Sequence, residues 1–261
     1  MKNRKINVAL AQFEPVWKGV HENVQVMLDM IAEAGRWSTD LIVFPELSRT
    51  GYVPKPSAEE IAEVAEILPS EDSRRIAQAA EVYGLAVVYG TLEKTADGRA
   101  YNSTVWLENG HFFFYRKTHI HWTENFVAGD SLAVFTSRIA KSGALICFDL
   151  GFPEAARTLA LNGAELIVAP SAVPVTFKEI NRRRLMARAM DNQIFVIYSN
   201  YTGEKYQGGS LVARPSGESL FEASAEPGVY GLTIDLGEIA YWRDYERLYP
   251  HRRPDVYGMS R

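Results

Sequence analysis

Ala144-Leu-Ile-Cys-Phe-Asp-Leu-Gly-Phe-Pro-Glu154 is the stretch from which the rest of the chain can be read. A short apolar run ends in Cys147, the single cysteine of the protein, and Asp149, Gly151 and Pro153 follow before a helical pattern begins. Strand, cysteine, turn, helix places a thiol at a strand end near a helix N-terminus. Amide N–H groups and the positive end of the helix dipole there favour a thiolate. Taken alone, the stretch leaves two readings open. Cys147 is either a nucleophile at a turn or one small buried hydrophobe, a common fate of free cysteine.

Similar units recur on both sides of it. Residues 6–12 (INVALAQ) and 41–44 (LIVF) read as buried strands. Between them Val24, Met27, Leu28, Ile31 and Ala34 fall on one helical face, with Gly35 as a stop. Helical patterns follow at Ile61, Val64, Ala65, Leu68 and at Ile76, Ala79, Ala80, Tyr83, then a strand over 85–92. Strands 102–107 and 111–115 flank Asn109-Gly110, a strong hairpin signal. Beyond Cys147 the pattern predicts a helix over 155–161, a strand over 166–169, an Arg-rich helix over 177–193 with its arginines toward solvent, and a strand over 194–199. Short strands at 210–213 and 221–223 flank Pro215-Ser-Gly217, and 229–235 alternates as a half-buried strand. The tail, 243–258, shows little periodicity. Near-continuous apolar strands alternating with helices give an α/β protein with mixed sheets, and no linker divides residues 1–261 into more than one domain.

Bulk properties narrow the function. A length of 261 residues buries a sizeable core, and a net charge of −4 argues against a nucleic-acid partner held through phosphates. One cysteine excludes an intrachain disulfide and a paired-cysteine zinc site, and fits a reducing, cytoplasmic setting. The N-terminal residues carry no secretory pattern, and no apolar run reaches the ~20 residues of a membrane span. No phosphate-binding glycine loop is present and no cofactor is expected, and no serine sits in a GxSxG elbow. His119 and His121 would share a face if strand-borne, but they lack a third ligand at suitable spacing, so no metal is expected.

Three buried strands end in chemically useful groups: Phe44-Pro-Glu46, Phe114-Tyr-Arg-Lys117 and Ile146-Cys147. In α/β proteins, strand ends and their loops converge into sites at one sheet edge. A carboxylate, an ammonium and a thiol meeting there would suit acyl transfer, as base, oxyanion stabiliser and nucleophile. Spacing alone does not bring them together. Glu46 also reads as a surface carboxylate, and Lys117, beside Arg116, as part of a solvated basic edge.

In three motifs the chain resembles the carbon–nitrogen hydrolases of the nitrilase superfamily: Phe44-Pro-Glu46 with Thr50-Gly-Tyr52, Tyr115-Arg-Lys-Thr-His119, and Ile146-Cys-Phe-Asp149 through Phe152-Pro-Glu154. Asn102-Ser103, Gly208-Gly-Ser210 and Arg252-Arg-Pro-Asp-Val-Tyr-Gly258 are similar to further family landmarks. The resemblance implies a four-layer α-β-β-α sandwich. It makes Cys147 the nucleophile, Glu46 the general base, Lys117 the oxyanion cation and the Phe148 N–H a second oxyanion donor. Glu124 corresponds to the family's additional glutamate, although Ala128 stands where the family more often has proline. A homodimer or larger homo-oligomer is also implied, with the Arg-rich helix and the aromatic tail as candidate contacts.

The resemblance also bears on the reaction. True nitrilases tend to carry Cys-Trp-Glu, and amidase-like branches Cys-aromatic-Asp, as in Cys147-Phe-Asp149. Many ω-amidase-like members have Arg where Gly151 stands here. The segment Pro170-Ser-Ala-Val-Pro174 is apolar and offers no cation for a substrate carboxylate, which points to an uncharged acyl group. Tyr52, Trp122, Ala172 and Val173 are the expected pocket wall. The expectation is an amidase acting on a small carboxamide. N-carbamoyl amino acid hydrolysis, ω-amidase or nitrilase activity, and a non-catalytic binding role stay open as alternatives.

Overall fold

The structure, a computed structural model, describes residues 4–257. Residues 1–3 and Gly258, the end of the tail landmark, lie outside the described residues. The first half forms β1 (Lys5–Gln12), α1 (Val20–Gly35), β2 (Leu41–Val43), α2 (Ala58–Val64), α3 (Glu71–Tyr83), β3 (Ala86–Lys94), β4 (Ala100–Glu108) and β5 (His111–Arg116). The second half forms β6 (Phe135–Thr136), β7 (Lys141–Ala144), α4 (Pro153–Leu161), β8 (Leu166–Pro170), α5 (Lys178–Asn192) and β9 (Phe195–Ser199). It closes with β10 (Leu211–Ala213), β11 (Ser219–Glu222), β12 (Gly228–Asp235) and α6 (Gly237–Glu246).

Local chemistry sets these boundaries. Ser57 and Glu60 form a reciprocal capping box at the start of α2, and Ser70 caps α3. Gly84 ends α3 in the left-handed conformation, and Pro153 occupies the first turn of α4, where no amide donor is needed. Asn109 and Gly110, both at positive φ, close the β4–β5 hairpin.

The strands make two six-stranded sheets, ordered β12-β1-β2-β3-β4-β5 and β11-β10-β9-β8-β7-β6. Each has a parallel centre, β1-β2-β3 in one and β7-β8-β9 in the other, with antiparallel neighbours outside it. The two-residue period of a strand sorts side chains between faces. Val8, Leu10, Leu41, Val43, Ala86 and Val88 point into a core shared with β8 and β9. Their chain neighbours Ala9, Ala11, Ile42, Val87 and Tyr89 pack instead with Met27, Ile31 and Ile76 of α1 and α3. On the far side Ala156, Leu159, Leu185 and Ala189 bring α4 and α5 onto the second sheet. The layers therefore run helix, sheet, sheet, helix. Each fully buried Val, Leu or Ile stabilises this stack by about 1.5–3 kcal/mol before chain entropy is counted.

Some expectations need correction. The helical pattern at Ile61 stops at Val64, because Ala65 turns extended and Glu66 bridges to Glu93 of β3, so Leu68 lies outside the helix. The tail begins inside a helix, α6, where only Ile239 is buried, which leaves no apolar stripe to read. The arginines of α5 do not all face solvent: Arg188 is buried and its Nε donates to the Leu150 carbonyl at 3.2 Å. Cys147 opens a 3-10 turn, Cys147–Gly151, and α4 starts only at Pro153, so the α-helix N-terminus is not at the thiol.

Candidate active site

Glu46, Lys117 and Cys147 leave their sheets at β2, β5 and β7, and the loops after those strands meet at one edge. The turn carrying Glu46 packs directly onto β3. A Cβ on Gly90 would lie 2.1 Å from the Leu47 nitrogen, so only glycine allows this approach. Glu46 is 1% exposed. Its Oε1 accepts from Lys117 Nζ at 2.8 Å and Asn102 Nδ2 at 2.7 Å, whereas Oε2 has no partner among the described residues.

Lys117 is equally buried and is the hub of the cluster. Its backbone N–H donates to the Asn102 carbonyl at 2.9 Å, and its own carbonyl accepts from Gly129 N–H at 2.8 Å. A Cβ on Gly129 would sit 2.3 Å from the Arg116 carbonyl oxygen, which is why the loop needs glycine there. Beyond Glu46, Nζ donates to Glu124 Oε1 at 2.8 Å and Oε2 at 3.0 Å. Glu124 also accepts from the Tyr52 hydroxyl at 2.9 Å and the His121 N–H at 3.1 Å. Arg116 points the other way, paired with Glu93 and lying 4.1 Å over the Tyr101 ring. One lysine is buried and its neighbouring arginine is not, so the solvated-edge reading fails for Lys117.

Cys147 adopts φ 47°, an uncommon conformation for a residue with a side chain, at a turn held from below by Asp149. The buried Asp149 carboxylate accepts from Ile146 N–H (2.8 Å), the Tyr115 hydroxyl (2.8 Å), the Thr118 hydroxyl (3.0 Å) and His119 N–H (2.8 Å). These bonds tie the Lys117 loop to the cysteine turn. They also engage His119, whose Nδ1 meets Asp149 and whose ring stacks on Phe152, whereas His121 Nδ1 meets Thr123. Neither histidine lies on a strand, so the shared strand face does not form. Among the described residues no cluster suited to a metal ion occurs.

Burial dominates the electrostatics. It pushes the Cys147 thiol well above its ordinary value, and the Glu46 charge adds to this. Lys117 and the Ala172 backbone N–H facing the sulfur pull the other way without overcoming it. The resting thiolate expected from a helix dipole is therefore not favoured, and the proton stays on sulfur. Burial likewise raises Glu46, opposed by Lys117. For Lys117, burial works against the charge, but Glu46, Cys147 and Glu124 outweigh it, so the ammonium is held firmly.

A cavity of about 440 Å³ opens above this cluster. Lys117, Glu124 and Cys147 line it, as do Tyr52, Trp122, Phe148, Ala172 and Val173. Glu46 is not part of the pocket wall and joins the cluster through its bond to Lys117. Trp122 sits at the rim, 71% exposed. Asn200, just past β9, fixes the Val173 wall by accepting its N–H at 2.8 Å and donating to its carbonyl at 3.1 Å. Sequence reasoning missed Asn200, the anchoring role of Asp149, and two cations in the wall, Arg184 and Lys205. Asp149 was visible as part of Cys-aromatic-Asp; Arg184 was hidden in a run of arginines read as solvent-facing, and Lys205 in a loop with no periodicity.

Paired mixed sheets under helices, with carboxylates, a lysine and a thiol gathered at the strand ends, define a class of layered α/β hydrolases. This chain belongs to the carbon–nitrogen hydrolase family, whose model matches residues 7–244, and so to the nitrilase superfamily. It is 35% identical over 223 residues to an (R)-stereoselective amidase from Pseudomonas sp, covering 82% of this chain and 80% of that protein. It is 33% identical over 264 residues to a nitrilase of Pyrococcus abyssi (strain GE5 / Orsay), covering 97% and 99%. The crystal structure of a carbon–nitrogen hydrolase from Helicobacter pylori G27 shares the fold, with a TM-score of 0.90 at 24% identity over 98% of this chain and 97% of that one.

Proposed function

We propose that this enzyme is an amidase, converting a small carboxamide to an acid and ammonia through a thioester on Cys147. The observation that carries the reading is the unpartnered Glu46 Oε2 in a buried cluster whose charges act on the pocket-lining Cys147 thiol, with Lys117 holding the other oxygen. The 35% identity to a protein named as an amidase supports it.

Because burial keeps the proton on sulfur, attack and deprotonation are coupled. Glu46 takes the thiol proton as Sγ bonds to the amide carbon, and the carbonyl oxygen becomes an oxyanion facing Lys117 Nζ and the Phe148 N–H. Collapse breaks the C–N bond, and Glu46 returns the proton to the leaving nitrogen as ammonia departs. Water then attacks the thioester with Glu46 accepting its proton, and the acid leaves as Cys147 recovers a proton from Glu46. Glu124 orients Lys117 throughout. One domain working as a homo-oligomer in the cytoplasm belongs to the same proposal. Among the described residues no helix is long and apolar enough to cross a membrane.

Glu46 must be ionised to accept the first proton, and burial raises its pKa. The base form is therefore lost at a higher pH than for an ordinary carboxylate. A profile of kcat/KM from about pH 4 to about pH 9 is expected to fall on the acid side with a midpoint above the usual range of about 4 to 4.5. An acid limb at the usual value would mean that Glu46 is not the base. Ammonia release across primary amides, nitriles and N-carbamoyl compounds tests the reaction itself. Turnover of amides supports the reading, and turnover confined to nitriles, or carbon dioxide released with the ammonia, overturns it.

A further inference from the structure

Residues 182–184 are three consecutive arginines, and the 100° step of a helix sends them in different directions. Arg182 pairs with Glu222 at 3.0 Å on the surface, and Arg183 is exposed. Arg184 lies one turn before Arg188, whose bond to the Leu150 carbonyl presses that face of α5 onto the cysteine turn. The Arg184 guanidinium accordingly lies over Gly151, with its central carbon and a terminal nitrogen 3.8 Å from where a Cβ on residue 151 would be. Arg184 is partly buried in the wall of the Cys147 pocket, and no carboxylate among the described residues forms a salt bridge with it.

Lys205, from the loop after β9, lines the same pocket, also without an acidic partner among the described residues. Its ammonium lies 5.0 Å from the centre of the Tyr206 ring. Among the described residues Glu124 is the one carboxylate in the pocket wall, and it is already held by Lys117, Tyr52 and His121. The outer part of the pocket thus carries positive charge that the protein itself does not neutralise.

We propose that Arg184, with Lys205 at the rim, forms a carboxylate subsite, so that the substrate is a small amide bearing a carboxylate at the end away from the scissile bond. This rests on the amidase reading for the reacting end. A guanidinium presents parallel donors that match a carboxylate, in a partly desolvated wall where such a pair is stronger than in water. A cavity of about 440 Å³ accommodates a short ligand reaching from Cys147 to Arg184. The uncharged acyl group expected from residues 170–174 rested on one segment, and these cations reach the pocket from two others.

The test compares succinamate and glutaramate with their uncharged analogues succinamide and glutaramide. The unmodified enzyme is expected to prefer the charged member of each pair in kcat/KM. In Arg184→Gln that preference falls roughly 10- to 100-fold, mainly through KM, and in Lys205→Gln it falls less. Arg183→Gln, at an exposed position, leaves it unchanged. Titration calorimetry of succinamate and glutaramate into Cys147→Ala, with and without Arg184→Gln, reads the same loss as weaker binding of each charged amide. No preference for charge, or a preference that Arg184→Gln leaves intact, overturns the proposal. Binding that depends on Arg184 in a protein that releases ammonia from no amide would instead reject the amidase reading and keep the subsite.

Discussion

Cys147→Ala is expected to lower amide turnover by about 10⁴- to 10⁶-fold, the scale on which loss of a covalent nucleophile acts. No second thiol can substitute, since the chain has a single cysteine. The substitution removes one sulfur atom and leaves the Asp149 bonds that shape the turn untouched. Folding should therefore be nearly unaffected, and near-ultraviolet circular dichroism of the variant should match that of the parent. Intact mass spectrometry of the parent chain, quenched during turnover, should show the substrate's acyl group added, and peptide mapping should place it on Cys147. Full hydrolytic activity in Cys147→Ala would dispose of the thioester route. A raised thiol pKa sharpens the expectation, because alkylation of the resting enzyme by iodoacetamide should then depend on Glu46 being ionised.

Strands buried on both faces wrote their ends plainly into the sequence, because an unbroken apolar run must stop where the chain reaches polar surroundings. That is why Glu46 and Cys147 could be picked out, each as the first reactive group after such a run; Lys117 follows Tyr115 and Arg116 on β5, a strand only partly buried and not the buried one expected, and was less distinct. What could not be read was neighbourhood. Nothing local says that β9 packs across β1 and β2, or that Asp149 reaches Tyr115 and Thr118. The arginines of α5 show the limit most clearly. Three identical residues in a row have no periodicity, so only the seating of Arg188 on the cysteine turn reveals that Arg184 looks inward. The thiolate expectation erred for a related reason. Local geometry suggested a helix dipole, but desolvation by the assembled sheets, a property of the whole fold, outweighs it.

Lys117→Met tests the other half of the site, because it removes charge while keeping most of the side-chain volume. Lys117 Nζ bonds to both Glu46 and Glu124, and all three side chains are at most 1% exposed. Without the ammonium, two carboxylates face each other in a poorly solvated space. Breaking a buried ion pair on one side costs about 3–5 kcal/mol, most of it the penalty of the stranded charge. The chain can relieve this by protonating Glu46, whose pKa burial already raises and Lys117 lowers. The sign follows from linkage. A carboxyl with a folded pKa above its unfolded value makes the folded state bind more protons, so stability falls as pH rises through that window. The difference in denaturation midpoint between parent and Lys117→Met should therefore be largest above neutral pH and shrink as pH is lowered. Activity should not recover in parallel, since a protonated Glu46 is no longer a base and the oxyanion has lost its cation. A loss of at least about 10³-fold in kcat/KM is expected at every pH where the variant is folded. If Lys117→Met were as stable as the parent at high pH, the three buried groups could not be the coupled cluster that their distances describe.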